Sequence, residues 1–540
     1  MFCNTPQVNQ LTSLLLSHHI TDIVVCPGSR NATIVHNLNE LKGRISIHPV
    51  TDERSAAFVA LGMTLAIERA VAVCVTSGSA LLNCIPAVAE AYYRHLPLLV
   101  ISADRPTQWI NQLDGQTLPQ QQALMPYCST FSISTPHTQD DLWQNNRSIN
   151  EAILRLQHNG GGPSHINVAI EEPMFSFTTA TLPNERTIKE FAANQAASPL
   201  PAEVVRLISS ARLPALIIGQ YEKGDIREEV SQLISNCQLL VLPEIISDVE
   251  GNHLMHAFDH ISTTSEAIKP DVIVQIGGNF VHKKFKTLLR NTPCQIVRIG
   301  TEQHMPDTFC HLAYWVHADV CCALHQLANE LPKQQNSVAQ AYVQLKQVHA
   351  ELTSADAQLP SKFSMHTALR VLKEQLSKLS PAITLHLANS SAVRAAGLVF
   401  ESGAFPIYCN RGANGIEGSL STAVGYALKM WGLSIVVIGD LSFFYDANAL
   451  WNTHLPANLR ILLLNNGHGA IFDQLQGLSA SKARDEFIAA GGKRFTAQGV
   501  CASYGVAYQK VENAKQLADT MPHFLNEDYT TAQLIEVTLK

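Results

Sequence analysis

The hydrophobic pattern of the chain alternates between two periods. Short runs of β-branched and apolar residues at 22–26, 45–50, 71–75 and 98–102 predict strands. Between them, residues 54–67 and 80–93 carry apolar positions at helical spacing. A second series of strand-like runs, at 215–218, 239–242, 272–276 and 295–299, begins after the polar stretch 178–201. A third, at 383–388, 435–438 and 461–464, follows the polar helical stretch 333–359. Strands alternating with helices imply crossover connections and parallel sheets. The pattern predicts three doubly wound parallel-sheet α/β domains, at residues 1–190, 191–355 and 356–540.

Composition narrows the class. The hydrophobic fraction of 46% and charged fraction of 15% suit a soluble folded enzyme. The 38 basic and 45 acidic side chains leave a net charge of −7, which argues against a general nucleic-acid binder. The longest apolar stretch, 56–67, is interrupted by Gly62 and Thr64 and falls short of the roughly 20 residues a bilayer needs, so no stable membrane insertion is expected. The first ten residues lack the basic region of a signal peptide. The 12 cysteines are scattered, form no C-x-x-C, and include Cys74 and Cys84 inside apolar runs, which points to a reducing, cytoplasmic setting.

The candidate chemistry lies after the strands, because ligands of open parallel sheets bind beyond the strands' carboxyl ends. The run at 435–438 leads into Gly439-Asp440-Leu441-Ser442, and that at 461–464 into Asn465-Asn466-Gly467-His468-Gly469. The 25 residues between Asp440 and Asn466 allow one helix and a return to the neighbouring strand. A carboxylate, an amide oxygen and a nearby backbone carbonyl are the hard ligands that Mg²⁺ prefers. Gly439 lets the backbone approach phosphate, and Ser442 and free N–H groups can donate to it. Taken singly, Gly-Asp and Asn-Asn-Gly are also ordinary turn residues. In the first third, the run ending near Pro49 leads into Thr51-Asp52-Glu53-Arg54-Ser55. Glu53 can serve there as a carboxyl group in a dry pocket, or as a first-turn residue facing a helix dipole. Arg30, Arg105, Arg394 and Arg411 stand beside these segments, and arginine forks bind carboxylates bidentately.

The segments GDLSFFYDANALW and LLLNNGHGAIF resemble the thiamine-diphosphate motif, which opens on Gly-Asp and closes on Asn-Asn. HPVTDERSAAFVALG and VCVTSGSALLNCIPAVAEAYY resemble the pyrimidine-binding domain of the same enzymes. Nearly end to end, through CPGSRNATIVHNL, ISADRPTQWINQLDGQTLPQ and NRGANGIEGSLSTAVGYA, the chain is similar to the 2-succinyl-5-enolpyruvyl-6-hydroxy-3-cyclohexene-1-carboxylate (SEPHCHC) synthases of menaquinone biosynthesis. Leu441 and His468 stand where many members have glycine.

The resemblance implies thiamine diphosphate and Mg²⁺ (or Mn²⁺) as cofactors. Asp440 and Asn466 would be side-chain metal ligands, and His468 would offer its carbonyl. Pro27, Gly28, Thr76, Ser77, Gly78 and Asn83 would lie near the cofactor, as would Ser390, Gly412, Asn414, Gly415, Ile416, Gly439, Leu441, Ser442, Gly469, Ala470 and Ile471. Glu53 would activate the aminopyrimidine, and Gln116 would reach the reacting fragment. Ser390, Arg394 and Arg411 would hold the part derived from 2-oxoglutarate. Ser29, Arg30, Arg105 and a lysine of the Lys283–Lys284 pair would hold isochorismate, with Ile471 and Phe472 as an apolar wall. The implied assembly is a homodimer or homotetramer with active sites at subunit interfaces. Two other readings compete. One is a different thiamine-dependent enzyme, such as an acetohydroxyacid synthase or a simple 2-oxo acid decarboxylase. The other is a non-catalytic nucleotide-binding α/β protein, although no G-x-G-x-x-G follows any strand.

Overall fold

Six runs of the first third form one sheet in the computed structural model: β1 (Asp22–Val25), β2 (Ser46–Pro49), β3 (Val71–Val75), β4 (Leu98–Asp104), β5 (Thr130–Ile133) and β6 (Ser164–Ala169). Their order is β2-β1-β3-β4-β6-β5, and every pairing is parallel. All residues of β3 and β4 are buried, which explains their unbroken apolar runs: both faces of such a sheet are covered. The chain leaves β1 for β2 and then returns past β1 to β3, so a crevice opens at the carboxyl ends of β1 and β3. As expected of a residue that cannot donate to a ladder, Pro49 is the last residue of β2.

The second sheet holds β7 (Pro214–Ile218), β8 (Leu240–Pro243), β9 (Val272–Ile276), β10 (Gln295–Gly300) and β11 (Leu312–His317) in the order β11-β10-β9-β7-β8, again all parallel. The third sheet comprises β12 (Ile383–Leu387), β13 (Ile407–Tyr408), β14 (Leu433–Gly439), β15 (Leu459–Asn465), β16 (Ala507–Val511) and β17 (Gln533–Thr538). Within it β12 pairs with β13, β14 pairs with β15 in parallel, and β15, β17 and β16 follow in that order. The architecture is thus α/β on three parallel sheets.

The structure describes residues 1–157, 160–191, 199–222, 224–261, 268–302, 304–357, 363–379, 382–475, 477–491, 494–526 and 530–539. It separates into two compact units. The first contains residues 1–191, 410–510 and 524–536, and the second the remainder. No helix among the described residues is long and apolar enough to cross a membrane.

One helix fixes the site in the first unit. Glu53–Ile67 begins where Asp52 caps it, accepting the Ser55 N–H at 2.9 Å. It is buried continuously from Ser55 to Leu65, so it is apolar on every face. Its main partner is the helix Ser419–Ala427. A Cβ on Gly62 would lie 1.9 Å from the Thr422 carbonyl oxygen, and one on Gly425 would lie 2.0 Å from that of Val59. Glycine at both positions lets the two backbones touch. The helical pattern at 80–93 is divided in the structure into Ser79–Asn83 and Ile85–Arg94, because Pro86 has no N–H with which to continue the ladder.

Candidate active site

Beyond β1, the turn Cys26-Pro27-Gly28-Ser29-Arg30 packs against Thr76, the first residue after β3. A Cβ on Gly28 would meet the Thr76 Cβ at 2.4 Å, so only glycine permits this approach. Thr76 Oγ1 and Asn31 Oδ1 are buried there without a protein partner among the described residues. An unsatisfied buried polar atom costs about 1–3 kcal/mol, and a polar ligand in the crevice would remove that cost. Pro27, Gly28 and Ser29 are exposed to the crevice, and Asn83 is exposed at the end of its short helix.

Glu53 is the first residue of its helix and is half-buried. Its neighbours are pinned on both sides. Asn448 donates to Asp52 at 2.7 Å. Arg54 donates to the Tyr445 carbonyl and lies 4.5 Å over the Tyr445 ring. Burial pushes the Cys26 and Cys84 thiols up, and the Glu53 carboxylate adds to the effect, so Glu53 is bordered by un-ionised thiols.

The two arginines of this unit's first sheet converge. Arg30 is buried, donates to the Ile170 carbonyl at 3.1 Å and pairs with the exposed Glu172 at 3.2 Å. Burial lowers its pKa, and the charge of Arg105 lowers it further. Arg105 pairs with Asp114 at 3.4 Å, while its Nε is buried without a partner among the described residues. Gln116 adopts a positive φ of 57°, is exposed, and passes its backbone over Gly78: a Cβ on Gly78 would lie 3.1 Å from the Gln116 Cα.

At the other carboxyl-end loops of this unit, Asp440 opens the helix Asp440–Tyr445 immediately after β14. It is buried and accepts the Gly467 N–H at 2.8 Å, and burial raises its pKa despite that bond. The two asparagines after β15 divide. Asn465 is fully buried and spends its amide on the Phe495 carbonyl and on Glu536, both at 2.7 Å. Asn466 is half-buried and donates to the His468 carbonyl at 2.9 Å. Gly467 carries the positive φ of 80° that this turn needs. The His468 ring meets Asp473 through Nε2 at 2.7 Å, which raises its pKa, and Asn466 through Nδ1 at 3.1 Å, so both its ring and its carbonyl face the Asn466 amide. A carboxylate, an amide oxygen and a main-chain carbonyl are therefore grouped by the Asp440–Gly467 bond and the Asn466–His468 bond. That donor set fits Mg²⁺ or Mn²⁺. No cluster of three or more His, Cys, Asp or Glu placed to hold a metal occurs among the described residues. At Gly439 nothing lies within 4 Å of where a Cβ would stand, which leaves room for phosphate. Ser442 differs from expectation: its hydroxyl donates to the Ile416 carbonyl, fixing the loop that carries Asn414, Gly415 and Ile416 instead of pointing free. Leu441 lies in the same helix, and Gly469, Ala470, Ile471 and Phe472 are half-buried where the following short helix begins.

In the second unit Ser390 sits at φ 73°, ψ −125°, a region natural only to glycine, and its carbonyl accepts from Arg394 at 2.7 Å. Lys283 and Lys284 are exposed at the start of the helix Lys283–Arg290. The segment before them is anchored by the fully buried Glu244, which accepts from the Val281 and His282 N–H groups and pairs with the His282 ring at 3.0 Å.

Comparison with known proteins accords with this geometry. The family model "Thiamine pyrophosphate enzyme, N-terminal TPP binding domain" matches residues 8–125. A SEPHCHC synthase of Phocaeicola vulgatus is 38% identical over 99% of this chain and 96% of its own length. Those of Bacteroides thetaiotaomicron and Bacteroides fragilis are 38% and 37% identical, over 97% and 99% of this chain and 94% and 96% of theirs. The chain belongs to the SEPHCHC synthase family.

Three groups in this member escape the sequence pattern. Glu90, buried in the helix Ile85–Arg94, accepts the Gly412 and Ala413 N–H groups at 2.9 and 2.7 Å and so holds the segment carrying the buried Arg411. Arg494 donates to the Asn466 carbonyl at 3.0 Å, beside the metal loop. Gln120, 1% exposed, accepts the Gly78 N–H at 2.7 Å and donates to Asn167 at 2.7 Å. A buried carboxylate or amide at helical spacing has no signature of its own in sequence, since its partners are distant along the chain.

Proposed function

We propose that this protein is a thiamine-diphosphate- and divalent-metal-dependent SEPHCHC synthase. It takes 2-oxoglutarate, releases CO₂ and joins the remaining succinyl-semialdehyde unit to isochorismate, in menaquinone biosynthesis. Thiamine diphosphate, when bound, supplies the electron sink that makes decarboxylation of a 2-oxo acid possible. Asp440, Asn466 and the His468 carbonyl hold Mg²⁺ or Mn²⁺ against the diphosphate. The Glu53 carboxyl, bordered by the neutral thiols of Cys26 and Cys84, would hold and return the proton of the aminopyrimidine N1′. Arg394 and Arg411 grip the donor's carboxylates, with Ser390 beside Arg394. Arg30, Arg105, Ser29 and Lys283 or Lys284 receive the acceptor, Gln116 reaches over it, and Ile471 and Phe472 exclude water.

The observation that carries this reading is the Arg30–Arg105 pair. The charge of Arg105 adds to burial in lowering the Arg30 pKa, and, although Glu172 and Asp114 each pair with one of the two guanidinium groups, Arg105 keeps a buried, unused Nε–H donor among the described residues. A dicarboxylate can present one carboxylate to each guanidinium, whereas a small monocarboxylate reaches only one of them. Residues 1–190, 191–355 and 356–540 serve as pyrimidine-binding, central and diphosphate-binding domains. Leu82, Tyr93, Trp109, Leu113 and Met125, large apolar residues exposed on the first unit, support assembly as a homodimer or homotetramer with sites at subunit interfaces. The direct test supplies 2-oxoglutarate, isochorismate, thiamine diphosphate and Mg²⁺ and identifies the product by mass. Release of CO₂ without an isochorismate adduct would favour a simple decarboxylase instead.

A further inference from the structure

The carboxyl ends of β3 and β4 are joined by a chain of buried polar groups whose direction is fixed. Gln120 Oε1 accepts the Gly78 N–H at 2.7 Å, so its Nε2 must face the other way, where it meets the Ala103 carbonyl at 3.1 Å and Asn167 Oδ1 at 2.7 Å. Ser102 Oγ lies 3.1 Å from the same nitrogen and 2.7 Å from His165 Nε2. Asn167 in turn donates to Asp104 at 2.8 Å, and the other oxygen of Asp104 accepts the Arg105 N–H at 2.8 Å. Burial pushes His165 down to about 3, so the ring is neutral and adds no charge, and Asp104 is raised by its own burial. Every member is buried except Arg105. At one end stands Gly78, on which the Gln116 backbone rests; at the other stands Arg105. The primary amide accepts at one end and donates at the other whatever the pH, which a carboxyl group of the same size does only when protonated.

We infer that Gln120 is a positioning residue that sets Gln116 and Arg105 in register for the acceptor, so that it governs the second half of the reaction more than the first. The inference rests on the reading that Arg105 and Gln116 face the acceptor. Gln120→Ala leaves the Gly78 N–H without its acceptor and leaves Asn167 Oδ1 with only the Ser102 hydroxyl, at 2.8 Å, so the two loops lose their common reference. Gln120→Glu keeps the size of the side chain. Ionised, it still accepts from Gly78 but cannot donate, and it sets a negative charge toward Asn167 and Asp104. Protonated, it recovers one donor.

The test follows CO₂ release from 2-oxoglutarate alone, and product formation with isochorismate, in the full-length protein loaded with thiamine diphosphate and Mg²⁺. For Gln120→Ala we expect the KM for isochorismate to rise about tenfold while CO₂ release changes by less than about threefold. For Gln120→Glu we expect the acceptor step, measured relative to wild type, to recover as pH falls from 8.5 toward 6, which Gln120→Ala does not do. Equal losses in both half-reactions, or a Gln120→Glu ratio that is flat with pH, overturn the role of Gln120. If Gln120→Ala does not fold, the Gln120→Glu profile decides alone. A wild-type protein that neither releases CO₂ nor consumes isochorismate would overturn the functional reading itself, a result separate from either variant's.

Discussion

The first and second sheets share one architecture and treat the same place in opposite ways. In the first, the crevice at β1 and β3 is bordered by exposed Pro27, Gly28 and Ser29, and Thr76 Oγ1 and Asn31 Oδ1 have no protein partner among the described residues. In the second, the corresponding ends of β7 and β9 are laced to each other. Gly219 donates to the Ile276 carbonyl at 3.0 Å, Gln220 to that of Asn279 at 3.0 Å, and Gly278 back to Gln220 at 2.7 Å. A Cβ on Gly219 would lie 2.3 Å from the Gly278 carbonyl oxygen, so backbone fills the space. Next to them, both oxygens of the buried Glu244 are occupied by protein donors. The lesson is that a switch point is only an opportunity. Whether it binds depends on whether the protein satisfies its own polar groups there.

The comparison can be broken most directly at Glu53. Glu53→Gln keeps the shape and loses the proton exchange, so turnover should fall by roughly 100- to 10,000-fold while cofactor affinity stays within a few-fold, as calorimetry and steady-state rates would show. Near-normal turnover would reduce the first sheet's crevice to a structural feature.

Asp440→Ala should be next in size. It removes the only charged protein ligand proposed for the metal, and we expect thiamine diphosphate binding to weaken by about a hundredfold and to lose its dependence on Mg²⁺. Unchanged affinity in the variant would place the ion elsewhere.

The arginines sharpen the comparison by function. Arg394→Ala should slow CO₂ release from 2-oxoglutarate even without isochorismate, by about ten- to a hundredfold, whereas Arg105→Ala should impair product formation and leave that first stage nearly intact. Single-turnover measurement separates the two, and equal slowing of the first stage by both would refute the division of labour.

The smallest expected effect belongs to the closed sheet. Gly219→Ala should cost roughly 1–3 kcal/mol of stability, because its Cβ has no room, and leave cofactor affinity as it was. A denaturant titration beside a binding isotherm checks both halves. Weaker cofactor binding would show that the second sheet's crevice is used after all.

Much of this contrast is legible along the chain. The apolar runs marking β1, β3, β7, β14 and β15 are nearly continuous because both sheet faces are covered, and the residues after them stand out by contrast. Asp440 and Asn466 are visible for that reason, whereas Glu53 follows the partly exposed β2 and is marked by the resemblance instead. What stays hidden is what is buried and polar. Strand β6 has no apolar run to mark it, because Ser164, His165 and Asn167 break the pattern. They are inside because His165 bonds Ser102 and Thr130 at 2.7 and 2.9 Å and Asn167 bonds Gln120, partners 35 to 63 residues away. Strand β17 hides in the same way behind Glu536, a buried carboxylate held by Asn465, Thr496 and Tyr508. Gln116 is marked by resemblance, while Gln120, four residues on, shows its place only once β3, β4 and β6 lie side by side.

The crossing of Gly62 and Gly425 has a consequence for how this lineage can change. Most packed pairs drift over generations by exchange: one side chain shrinks as its neighbour grows, and total volume is conserved. Here each partner already presents only hydrogen to the other's backbone, at 1.9 and 2.0 Å from where a Cβ would stand. Nothing smaller exists to trade. No second-site replacement at either position can rescue the first, so descendants keep both glycines or move the helices apart. Because one of those helices starts at Glu53, moving them apart would carry the proposed catalytic carboxyl away from its place.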